Sequence, residues 1–212
     1  MYMRYKEFLG TIFFIITSLV VYALFPVTDS FQQVFIMLVF FVIFPLSFNK
    51  LFLKNKLSFY GLQIGNWKQG LLWSFYSLII VCFIFFIISY FFGFLKNYSI
   101  PIFITKSFLN FIVYEFLLTA LFVLIYEFYF RGFILFIFET KFSFWAILVQ
   151  ALIFLSLVLV IGHNSLFLFL PYLIFAPFAG LIALKSRSII YSGVAQFLII
   201  LILDTLMVRI IS

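Results

Sequence analysis

The sequence predicts an all-α, polytopic membrane bundle of about seven spans. Apolar runs of about 20 residues recur along nearly the whole chain, the length a helix needs to cross the hydrocarbon core of a bilayer. Of 212 residues, 67% are hydrophobic, 37 are Phe and only 9% are charged, a composition far outside that of soluble domains. The basic residues fall in the breaks between the runs, where they set orientation and meet lipid headgroups. A net charge of +7 therefore points to a membrane, with lipid as partner, and not to nucleic acid. The lone Cys82 excludes a disulfide framework and a cysteine metal cluster. The whole chain, 1–212, reads as one integral membrane domain, with no soluble domain and no long-period repeat.

The elements follow in order. A short head carries Arg4 and Lys6. Span 1, about Phe8–Phe25, is too long for the apolar part of a cleaved signal, and no small-residue cleavage site follows it. Thr28-Asp29-Ser30 is a polar turn. Span 2, about Val34–Phe48, holds Pro45 near its end, where a kink is expected. Asn49 to Gln69 reads as a basic loop with an interfacial stretch from Phe59 to Trp67. Trp67 and Trp73 suit the headgroup belt. Span 3 covers about Leu71–Leu95, and Lys96 to Ser107 is a polar loop holding Pro101. Span 4 begins near Phe108, with Gly132 as an expected bend and Glu139-Thr140-Lys141 as a turn. Span 5 covers about Phe144–Ile161, followed by a turn at Gly162 to Ser165. Span 6 is about Leu166–Leu184, with Pro171 and Pro177. Lys185 to Ser188 is a basic turn, and span 7 is about Ile189–Ile211.

Seven spans place the loops alternately on two sides. One side takes Arg4, Lys6, Lys50, Lys54, Lys56, Lys68, Arg131, Lys141, Lys185 and Arg187, and the other takes Lys96, Lys106 and Arg209. Ten against three predicts a cytoplasmic N-terminus, by the excess of Lys and Arg in cytoplasmic loops.

Chemistry concentrates in Ile125-Tyr126-Glu127-Phe128-Tyr129-Phe130-Arg131-Gly132-Phe133. On a helix Glu127 and Arg131 are four apart, share a face, and stand in the favourable order for a pair. An ionisable residue at membrane depth costs about 2.5–3.5 kcal/mol on insertion scales, so it usually has a partner and often a role. Two readings stay open here: a structural pair that neutralises two charges, or part of an active site. Glu115, Gln150, Gln196 and Asp204 are the other intramembrane polar groups, expected to make contacts between helices. His163 is the only histidine and reads as a turn residue. A zinc site takes three or four His, Cys or carboxylate ligands, so no metal and no other cofactor is expected. No serine has a histidine base at a fitting depth, which weakens a hydrolytic triad.

Tyr126-Glu127-Phe128-Tyr129-Phe130-Arg131-Gly132 resembles the first motif, Glu-Glu-x-x-x-Arg, of the CAAX prenyl protease and bacteriocin-processing (CPBP, Abi) superfamily of intramembrane proteases. Phe144 to Ala151 followed by Phe154 resembles the approach to that family's Phe-x-x-x-His motif. Ala179 to Ile189 resembles the stretch before its last motif, His-x-x-x-Asn. The family-like core is about 108–211. Under this resemblance Glu127 and Arg131 are retained. Tyr126 replaces the first glutamate, the water-activating base; Val158 and Gln196 replace the two histidines; Ile200 replaces the asparagine. A register using His163 in place of Val158 needs a five-residue shift against the match at Gln150-Ala151. Asp204 matches an acidic position found further along that last helix in part of the family. Tyr, Val, Gln and Ile cannot form a metal site or a general-base site for peptide hydrolysis. The resemblance thus implies a degenerate member, a pseudoprotease in a bacterial cytoplasmic membrane that binds or scaffolds a membrane protein or hydrophobic peptide. An active endopeptidase using Glu127, and a structural or transporter-like subunit, are the alternatives.

Overall fold

The structure is a computed structural model that describes residues 5–26, 30–161 and 166–211. The head through Arg4, the turn at Thr28-Asp29 and the turn holding His163 lie outside the described residues. Seven long helices make up the described chain. They are α1 (Tyr5–Leu24), α2 (30–53), α3 (Trp67–Phe92), α4 (108–142), α5 (Ala146–Ile161), α6 (Leu166–Ser186) and α7 (Ile190–Ile211). Six stretches are long and apolar enough to cross a bilayer, and one of them, Phe108–Ile161, is 54 residues long. A helix of that length would measure about 80 Å, against a hydrocarbon core of about 30 Å. The chain breaks it at Ser143, whose φ of 49° ends α4, and α5 packs back against the end of α4. The expected all-α bundle of seven spans is thus what the chain forms, and the protein is an integral membrane protein.

The helices bury narrow stripes and leave apolar faces to lipid. On α1 the buried residues are Phe8, Thr11, Ile15, Ser18 and Tyr22, a three-four repeat that keeps one face inward. On α3 Phe75, Ile79, Phe83, Phe86 and Tyr90 are exposed, while Ser77, Val81 and Phe85 are buried. Small residues set the closest approaches, as membrane bundles require. A side chain on Gly180 would come within 3.1 Å of the Gln150 amide and 3.2 Å of Ile147, so α5 and α6 touch nearly backbone to side chain there. Gly70 on α3 lies under the ring of Tyr191 on α7, where an added Cβ would stand 2.4 Å from the ring.

Several expected boundaries move. Asn49–Leu53 is a π-helical end of α2, so the loop begins only at Lys54, which takes a left-handed φ of 54°. A π turn at Val39–Ile43 precedes Pro45, which sits at the start of the next α-helical turn, where its missing N–H is tolerated. Glu139-Thr140-Lys141 lies inside α4, and the turn falls at Ser143 instead. Gly132 is no bend: it sits inside a π-helical stretch, Glu127–Ile134, and its added Cβ would be 3.0 Å from the Tyr60 carbonyl. The glycine serves close approach, not a break.

The loop after α2 is a strap over the α6–α7 turn. The Ile189 N–H donates to the Gly61 carbonyl (3.1 Å), the Asn66 N–H to the Ser186 carbonyl (2.7 Å), and Gln63 Nε2 to the Arg187 carbonyl (3.2 Å). Arg187 also pairs with Glu139 near the end of α4 at 2.6 Å. Phe8 of α1 stacks edge-on to Phe138 of α4, with ring centroids 5.6 Å apart. The start of α1, the strap, the α4–α5 turn and the α6–α7 turn therefore share one end of the bundle. Among the described residues, that end carries the basic residues grouped together in the sequence, with one correction. Arg131 is fully buried, roughly 16 Å of helix short of the α4 terminus, and is no loop charge. The split of loop charges becomes nine to three.

Candidate functional site

Helix α4 builds the site with two π-helical stretches, Tyr114–Thr119 and Glu127–Ile134, each beginning at or beside a buried glutamate. Such insertions in an α-helix gather at functional positions because they re-aim side chains and loosen the backbone ladder. In the second stretch every residue from Glu127 to Ile134 is buried.

Glu127 and Arg131 form an ion pair, Nε to Oε1 at 3.3 Å, with exposures of 1% and 0%. The second carboxylate oxygen accepts a short hydrogen bond from the Ser192 hydroxyl of α7. Nη1 and Nη2 of Arg131 have no hydrogen-bond partner among the described residues. The guanidinium instead lies over the ring of Phe154 on α5, Cζ to centroid 5.5 Å. A cation above an aromatic face gains from the ring quadrupole, most of all where water is excluded. One ion pair thus ties α4 to α7 through Ser192 and to α5 through Phe154.

Tyr126 is 3% exposed and points into a cage of rings. Its centroid is 5.6 Å from Phe154, 5.7 Å from Tyr172 of α6, 5.9 Å from Phe130 and 6.0 Å from Phe41 of α2. Val158, one turn beyond Phe154 on α5, is fully buried. Gln196 lies one turn beyond Ser192 on α7, 1% exposed, and neither of its amide atoms has a partner among the described residues. Ile200 follows at the next turn, 3% exposed. Gln150 on α5 donates through Nε2 to the Ala176 carbonyl of α6 at 2.9 Å.

Glu115 and Asp204 meet at the other end of the same two helices. Asp204 Oδ1 accepts from the Tyr98 hydroxyl at 2.6 Å, and Glu115 lies beside Asp204 and Thr119. Tyr98 lies outside the spans; burial, and next the Asp204 carboxylate, hold its phenol well above the usual range. The two contacts share one antiparallel register. From Glu115 to Glu127 is twelve residues, and from Ser192 to Asp204 is twelve.

The sequence alone gave no sign of Ser192 as the partner of Glu127. The available signal was its place four residues before Gln196, on a ridge that continues through Ile200 to Asp204. Tyr60 was also missed. It is 1% exposed, its hydroxyl donates to Asn49 Oδ1 at 2.7 Å, and its ring lies 5.6 Å from Phe133. It too lies outside the spans, and burial pushes its phenol up to about 12. It braces the end of α2 against the second π stretch of α4. Among the described residues no group of three His, Cys, Asp or Glu side chains is placed to hold a metal.

Residues 109–202 match the family model described as Rce1-like, type II CAAX prenyl endopeptidase. No curated protein and no solved structure matches the chain. The match covers α4 from its second residue through most of α7, and so includes the Glu127–Arg131 pair, Phe154, Ser192 and Gln196. Over residues 109–202 the chain is similar to the type II CAAX prenyl endopeptidases, the superfamily its motifs resemble.

Proposed function

We propose that this protein is a pseudoprotease of the CAAX-protease type: a membrane bundle that binds or scaffolds a hydrophobic segment of another membrane protein without cleaving it. The observation that carries the reading is Tyr126. At the position where the resemblance puts the water-activating glutamate stands a buried phenol walled in by four aromatic rings. A phenol is a poor general base near neutral pH, since its ordinary pKa is about 10. Val158, Gln196 and Ile200 support the same reading, since none of them can ligate zinc. The retained Glu127 is already engaged by Arg131 and Ser192, which suits it to holding helices together. The polar atoms left without partners, Nη1 and Nη2 of Arg131 and the amide of Gln196, are suited to carbonyl and amide groups of a peptide backbone.

We place the protein in a bacterial cytoplasmic membrane with its N-terminus cytoplasmic, the side on which nine of the twelve loop charges would then fall. The test is a mild-detergent purification followed by mass spectrometry and a peptide-cleavage panel. The expected result is a stoichiometric membrane partner, no tightly bound zinc and no cleavage. One zinc per chain, or a cleavage that disappears in Glu127→Gln, overturns the proposal in favour of an active endopeptidase.

A further inference from the structure

At the far end of the bundle from Glu127 two carboxylates face each other with no base. Glu115, in the first π stretch of α4, is 0% exposed, and neither of its oxygens has a geometrically sound hydrogen-bond donor among the described residues. Asp204 of α7 is 3% exposed and has one donor, the hydroxyl of Tyr98 at 2.6 Å. The other polar groups around them are the hydroxyls of Tyr114 and Thr119 on α4 and of Tyr172 on α6. The cations nearest along the chain, Lys106 and Arg209, are exposed. Arg131 is committed to Glu127 about 18 Å further along α4.

Two ionised carboxylates side by side in a low dielectric repel strongly, and neither has the water that would ordinarily screen it. Such a pair at membrane depth is therefore stable when a proton neutralises at least one carboxyl or a cation sits between them. Protein side chains supply none here, whereas they supply one to Glu127. The surroundings are hydroxyl and carboxylate oxygens, the hard ligands that a proton or a small alkali-metal ion takes. The π stretch adds to this, because widening the helix loosens backbone carbonyls from their usual partners.

We propose that Glu115 and Asp204 form a monovalent-cation site, in which one proton or one sodium ion is shared between the two carboxylates and held by the hydroxyls of Tyr98 and its neighbours. The bound cation ties the start of α4 to the end of α7 and to the 94–105 segment that carries Tyr98. A separate cavity of about 360 Å³ at the same end is lined by Thr105, Ser107, Thr205 and Arg209 among apolar neighbours, and neither carboxylate lines it.

The test uses the purified full chain in detergent and dicyclohexylcarbodiimide, which reacts with a protonated carboxyl group in apolar surroundings. Labelling is mapped by mass spectrometry and thermal unfolding is followed in parallel, from about pH 5 to about pH 9, where free carboxyls are ionised over most of the range. Sodium chloride is exchanged for choline chloride at constant ionic strength. If the occupant is a proton, Glu115 or Asp204 is labelled even near neutral pH, labelling falls as pH rises, and sodium has no effect. If it is sodium, added sodium slows labelling and raises the unfolding temperature saturably. Either result supports the site. In both cases Glu115→Gln, which keeps shape and removes the charge, abolishes the dependence on pH or sodium. Tyr98→Phe, a milder change, shifts the midpoint without abolishing it. Wild-type protein with no label at either residue, and an unfolding temperature indifferent to sodium and pH, overturns the proposal whether or not the variants fold.

Discussion

Glu127 and Arg131 show what a charge needs in order to live inside a membrane protein. Each neutralises the other, Ser192 fills the second carboxylate oxygen, and Phe154 covers the guanidinium. Removing one member of such a pair leaves the other buried and unmatched, at about 3–5 kcal/mol, while replacing both by apolar residues of similar size can cost far less. Glu127→Ala and Arg131→Ala should therefore each lower the folded yield in membranes, and Glu127→Leu combined with Arg131→Met should restore much of it. Fluorescence-detected gel filtration of each variant measures this directly. Single variants that accumulate and melt like the parent would mean that the pair faces water, which would reopen a binding or catalytic role for it. The pairing itself was legible, because spacing of four on a helix puts two side chains on one face. Ser192 was not, because a small hydroxyl among apolar residues carries no periodic signal of its own. The same holds for Tyr98, whose partner lies 106 residues away.

At the scale of elements, apolar run length found all seven helices, since a bilayer imposes one length on every crossing. It did not find where α4 ends. Ser143 turns the chain without Gly or Pro, and the residues around it, Phe142 and Phe144, are as apolar as the helix itself. Nor did it find that Lys54 to Asn66 is a docked strap, because its partners are backbone groups more than a hundred residues on. Gly65 carries that docking: at φ +59° its added Cβ would stand 2.1 Å from the Ser186 carbonyl. Gly65→Ala should lift the strap, and limited proteolysis should then nick the chain between Lys54 and Lys68 at least several-fold faster than in the parent. The π stretches of α4 were equally hidden, and they have a measurable signature. Twelve residues of ideal α-helix turn Glu115 and Glu127 about 120° apart, whereas eleven leave them about 20° apart. The π turn at Tyr114–Thr119 absorbs the extra residue, which is how both glutamates come to face α7. Deleting Leu117, which is exposed and inside that turn, should be absorbed as the turn relaxes to α. Deleting Leu124, equally exposed but in regular helix, should displace Val123 and its neighbours and lower the melting temperature several degrees further.

For the molecule as a whole, the fold groups the basic loops at one end without reference to charge, and the proposed orientation puts that end in the cytoplasm. With Cys82 replaced, Lys54→Cys and Asn97→Cys should label oppositely with a membrane-impermeant thiol reagent applied to intact cells. Only the cysteine at 97 should react, and equal labelling of both would reverse or dissolve the topology. Between those two ends run α4 and α7, antiparallel, joined by Ser192 at Glu127 and, through the proposed cation, at Glu115 and Asp204. Mechanically they are two rails with a rung near each end. With the proposed cation bound, neither rail slides or rolls against the other without breaking both rungs together.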